Sequence, residues 1–249
     1  MAEAAQTYWC ACTIWEGRKQ LVGGAALKDE REQVQLDLAG YQTREKALTL
    51  AARGCPSEYT EVAKKHMTGQ TDLTLSFMLF GSFVSRMRGL HEGIVREIVA
   101  NNPHAVLPLT RAWVETITIG LYVLSHPSYA DYLLHGPGKN RPGRKSFEAM
   151  FHAVREEASQ LKLVYGQLSD YSHFASLAVW NAHSIDDEDE GTVSWTDAPR
   201  WRDERHFQIA CAQAHELAVA GPHTLERLGD LLVSKGADPE RVSEEAPHP

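Results

Sequence analysis

Arg111 and Glu115 stand four residues apart inside the most apolar helix-length run of the chain, PHAVLPLTRAWVETITIGLYVLS, residues 103–125. On a helix that spacing puts both side chains on one face, one turn apart. The run is apolar on nearly every face, which predicts a central, buried helix. A buried charge is costly unless it is paired and hydrogen-bonded, so the two must neutralise each other and find further partners. The run LVYGQLSDYSHFASLAVWNAH, residues 163–183, offers them, because Tyr165, Ser169 and His173 recur every fourth residue. In a functional reading, His173 carries protons, Arg111 holds an anion, and Glu115 and Ser169 complete a catalytic set beside Tyr165. In a structural reading the same residues form a satisfied polar network that fixes helix packing.

A second pair, Arg86 and His91, lies in SRMRGLHEG with four residues between. Histidine as acid–base and arginine on a phosphate is the arrangement of HEPN-type ribonucleases, and the spacing resembles theirs. Arg86 and His91 are therefore candidate ligand-binding residues together with Tyr165. The offset of five is poor for one helix face, and Arg200 with His206 shows a similar spacing by chance.

For metal, Asp170 and His173 stand three apart, as do Asp203 and His206. A di-metal carboxylate bundle needs two Glu-x-x-His motifs plus two further glutamates, and the helical part of the chain carries none. The expectation is no metal and no assignable cofactor. Phosphate-binding glycine loops and nucleophile elbows are also absent. The loop GKNRPGRK, residues 138–145, carries four basic residues and is the one concentrated basic patch, able to meet RNA, DNA or an acidic partner, or simply solvent.

These side chains need helices to hold them. Apolar periodicity predicts helices over about 26–53, a shorter one after Pro56, then 71–100, 103–125, 146–163, 165–183 and 202–234, the last kinked at Gly221-Pro222. Asn101-Asn102-Pro103 makes the 71–100 and 103–125 helices an antiparallel hairpin. The acidic run Asp186–Glu190 and GTVSWTD break the pattern near 184–199, as a β-hairpin or a loop. The reading is an all-α, single-domain helical bundle of about six to eight helices over residues 1–236, with its core at 70–183 and terminal helices outside. Residues 237–249 read as a disordered tail.

A net charge of -8 excludes a whole-surface nucleic-acid binder, though not a local patch. Four scattered cysteines build no disulfide framework, MAEAAQ lacks a basic region before an apolar core, and no stretch reaches about 20 uninterrupted apolar residues. A cytoplasmic protein with no membrane association is expected.

One resemblance follows from the motifs. A helix with a His-Glu-Gly turn at His91 leads through an Asn/Pro link into Leu-x-Arg-x-x-x-Glu at Leu109–Glu115. A later helix carries Tyr165, Leu168, Ser169 and His173. Over about residues 70–183 the chain resembles HEPN-like helical proteins of uncharacterised bacterial families. The resemblance implies a core of several helices, a homodimer, and RNA or nucleotide as partner in a stress or defence role. It does not bring nuclease activity with it, because the ribonuclease motif is not clearly placed here. Two alternatives stand beside it: a small-molecule enzyme, with or without metal, using the same pocket, and a non-catalytic interaction module whose polar network is structural.

Overall fold

The computed structural model describes residues 38–69, 73–139, 141–158, 165, 168, 183–187, 192–195, 198–201 and 203–234. Within them the protein is all-α. A 3-10 turn, Ala39–Tyr41, precedes α1 (Arg44–Ala51), α2 (Ser57–Met67), α3 (Leu75–Val99), α4 (Pro103–Ser125), α5 (Tyr129–His135), α6 (Phe147–Ala153), α7 (Arg155–Ala158) and α8 (Glu204–Gly229). Strands β1 (His183–Asp187) and β2 (Thr192–Trp195) pair antiparallel, so the break near 184–199 is a hairpin. No helix among the described residues is long and apolar enough to cross a membrane.

Local chemistry explains the boundaries. The helix expected over 26–53 does not run through its described part. Thr43 is extended and its hydroxyl accepts the Lys46 N–H, so a new helix starts there instead. Gly54, at φ +75°, ends that helix in the left-handed region that glycine enters freely. Helix α3 begins at Leu75 rather than 71 because Thr74 caps it, accepting the Phe77 N–H. Asn101, at φ +61°, turns the chain, and Pro103 opens α4 where its missing N–H costs nothing.

The helix expected over 146–163 is interrupted in its described part, and residues 159–163 lie outside the described residues. Buried Val154 leaves helical geometry at φ -110° and ψ 17°, and the chain restarts as α7. Of the helix expected over 165–183, Tyr165 and Leu168 are helical, residues 169–182 lie outside the described residues, and His183 already belongs to β1. Helix α8 continues through Pro222 and finishes in a π-helical turn, Asp230–Ser234.

The α3–α4 hairpin is the frame, and α8 packs across both of its helices and against α1 and α2. Trp113, Phe80, Met87, Ile94, Ile117, Phe207, Leu217 and Leu225 fill the space between them, almost wholly shielded. Burying each such side chain contributes about 1.5–3 kcal/mol, which is why the hairpin and α8 hold together. Gly120 and Gly221 sit where α4 and α8 come close. A Cβ on Gly120 would come within 3.0 Å of Thr224 Cγ2, and one on Gly221 within 3.5 Å of Trp113 Nε1.

Candidate functional site

Arg111, Glu115 and Tyr165 come together. Arg111 Nε donates to Glu115 Oε1 at 3.2 Å and Arg111 Nη2 donates to the Tyr165 hydroxyl at 3.0 Å. The Tyr165 O–H in turn donates to Glu115 Oε1 at 3.1 Å, closing a ring of three hydrogen bonds. Burial pushes the Tyr165 phenol above its usual range, with Glu115 adding to this and Arg111 opposing it. The phenol therefore keeps its proton and stays a donor at neutral pH.

The charges are not sealed in the core as the apolar run suggests. Arg111 is 18% and Glu115 34% exposed, because α4 buries its Trp113–Thr116–Leu121 side and leaves their stripe at the bundle's edge. There a salt bridge is far less costly than inside. Phe147, the first residue of α6, stacks on the Tyr165 ring with centroids 3.7 Å apart and planes 17° apart. The Arg111 guanidinium carbon lies 5.0 Å from the same ring's centroid, a cation–π distance. Ser146 fixes Phe147 by accepting the Ala149 N–H at 3.2 Å, and the basic loop leads straight into this cap. The spacing within α4 makes the Arg111/Glu115 pair legible; nothing local in the sequence pairs Phe147 with Tyr165, which are eighteen residues apart. Ser169 and His173, the other members of the expected catalytic set, lie outside the described residues.

Arg86 and His91 go to different places. Arg86 is exposed, and its Nε donates to Thr116 Oγ1 on α4 at 3.0 Å. His91 is 0% exposed. Its Nε2 is 2.7 Å from the Ala51 carbonyl, which can only accept, so Nε2 carries the proton. Its Nδ1 then accepts from the Tyr59 hydroxyl at 3.3 Å. The imidazole also stacks on Trp113, with centroids 4.8 Å apart. Burial lowers the His91 pKa, the hydrogen bond to Ala51 acting the other way. A neutral histidine with both nitrogens engaged ties the end of α1 to α2, α3 and α4; it has no face for a ligand, and its ribonuclease-like spacing to Arg86 brings no shared site.

Among the described residues no three histidine, cysteine, aspartate or glutamate side chains group to hold a metal. Asp203 is an N-cap: Oδ1 accepts the His206 N–H at 2.8 Å, and Oδ2 lies 2.8 Å from His206 Nδ1. Asp170 lies outside the described residues. Burial pushes the Cys55 thiol up to about 11 and the Cys211 thiol up to about 12, so neither is a thiolate nucleophile at neutral pH.

Chemically, the edge site offers a partly exposed guanidinium, a stacked aromatic pair and a phenol. Those are the groups that hold an anion beside a flat ring. No protein-family model, no curated protein and no solved structure matches this chain.

Proposed function

We propose that this is a HEPN-like helical protein that binds nucleotide or RNA at the Arg111–Tyr165–Phe147 site. The observation that carries the reading is the Arg111 guanidinium, 18% exposed, against a stacked aromatic pair, at the point where the basic loop enters α6. Aromatic faces accept any base by stacking, and the Arg111 charge attracts phosphate while its Nε and Nη2 serve Glu115 and Tyr165. Arg86 and His91 add no cleavage site to this reading, since the two side chains make separate contacts. A cytoplasmic, homodimeric protein acting in stress or defence belongs to the same reading, and the free Cys55 and Cys211 thiols support a reducing compartment.

The closed ring of hydrogen bonds favours a second reading, in which Arg111, Glu115 and Tyr165 only hold α4 to the Tyr165 segment. Thermal-shift titration with purine and pyrimidine monophosphates separates the two. Under the binding reading nucleotide stabilises the fold by mass action, by about 2.7 kcal/mol at a hundred times Kd, which raises the midpoint, and the rise disappears in Arg111→Ala and in Phe147→Leu. If Arg111→Ala lowers the midpoint of the free protein and no nucleotide shifts the wild type, the network is structural and the binding reading fails.

A further inference from the structure

The α4–α5 corner carries a second aromatic array that the edge site does not use. The His126 ring lies on Tyr122 at a centroid distance of 4.3 Å and an angle of 13°. Tyr122 meets Tyr129 edge-on at 5.0 Å, and Tyr129 stacks with Tyr132 at 5.0 Å and 26°. Tyr122 and Tyr129 are buried, whereas His126 is exposed and Tyr132 half-buried against the core. A ring held flat on a buried ring and still open to solvent leaves its other face for a base.

The basic loop is tied to this corner. The Lys145 N–H donates to the Tyr129 hydroxyl at 3.4 Å, and Arg141 Nη1 donates to the His135 carbonyl at 3.4 Å. Lys139, Arg141, Arg144 and Lys145 are all exposed. From His126 to Ser146 these four cations face a single acid, Asp131, in a chain whose net charge is -8. Among the described residues, this segment joins four exposed cations to the exposed His126 ring. Exposed aromatic faces beside a basic track make up the chemistry that holds unpaired nucleic acid, whose bases are free to stack while its phosphates follow the cations.

We propose that this corner and loop bind single-stranded nucleic acid, with phosphates on the loop cations and bases on His126 and Tyr132. The surface goes beyond the nucleotide site and uses none of its residues, so either can fail alone. The test is fluorescence anisotropy of the full chain with labelled 12-mers of RNA and DNA, each single-stranded and as a duplex, over a range of salt. Single strands are expected to bind more tightly than duplexes, and the RNA and DNA arms show which sugar is preferred. Replacing Lys139, Arg141, Arg144 and Lys145 by alanine together should abolish binding at moderate salt. Restoring them one at a time should change the slope of log affinity against log salt by about 0.7 per phosphate contact. His126→Ala with Tyr132→Leu should weaken binding about thirtyfold or more, the loss of two stacked bases, while leaving that slope unchanged. The four loop side chains are exposed, and circular dichroism verifies that the variant is folded. The proposal is overturned if single strands do not bind at low salt, if duplex binds equally well, or if the folded loop variant keeps wild-type affinity. Arg111→Ala, which tests the nucleotide site, is expected to keep the preference for single strands and the salt slope set by the loop cations.

Discussion

Acid should destabilise this protein through His91, and the effect can be isolated. In the folded state burial holds the His91 pKa below its ordinary value of 6.5, with both ring nitrogens committed to Ala51 and Tyr59. On unfolding the imidazole returns to that value. Between the two the unfolded state binds more protons than the folded one, so stability falls as pH drops below about 6.5 and stops falling at the lower, folded pKa. One group changes stability by at most about 1.4 kcal/mol per pH unit in that window, a sizeable share of the roughly 5–15 kcal/mol that holds a domain together. His215, whose Nδ1 lies 2.9 Å from the Tyr41 hydroxyl, is also shifted down by burial and adds in the same direction. Glu226 works at a different pH. Burial raises its pKa, but the hydrogen bonds from Lys65 and His66 outweigh that and lower it, so its contribution is lost only below the carboxylate value of 4.5. The assay is urea unfolding at steps between pH 7.5 and 5, on the wild type and His91→Gln. Glutamine offers an N–H to Ala51 and an oxygen to Tyr59 but does not titrate. His91→Gln should be less stable at pH 7.5 and should show a pH slope flatter by up to one proton. An unchanged slope would refute the buried, neutral His91.

Two other perturbations test the packing. Gly229→Ala would place a Cβ 2.5 Å from the His66 ring, which Glu226 holds at 3.0 Å, so overpacking of about 1–3 kcal/mol should exceed the gain of about 1 kcal/mol in helix propensity and lower Tm. Cys55 and Cys211 should alkylate slowly with iodoacetamide at pH 7.5, site by site in mass spectrometry, with thiol values pushed up to about 11 and about 12; Cys211, fully buried, should react only after denaturation.

The sequence by itself determined the helical frame. Periodicity located α3 and α4 to within a few residues, and Asn101 and Pro103 announced the turn between them, because caps, prolines and apolar spacing act over one or two turns of chain. It also paired Arg111 with Glu115, a contact between residues four apart. It overran the start of α1, where a single hydroxyl at Thr43 caps a new helix, and it missed the break at Val154 between α6 and α7. Burial was beyond it. His91 and Arg111 look alike as polar residues on apolar helices, yet one is sealed against Trp113 and the other stands at the bundle's edge. Only the crossing of α8 over the hairpin and the docking of α1 decide which side of each helix meets solvent. The stacking of Phe147 on Tyr165 and the tether from Lys145 to Tyr129 likewise exist only once distant segments have packed, since no local spacing encodes a contact between separate elements.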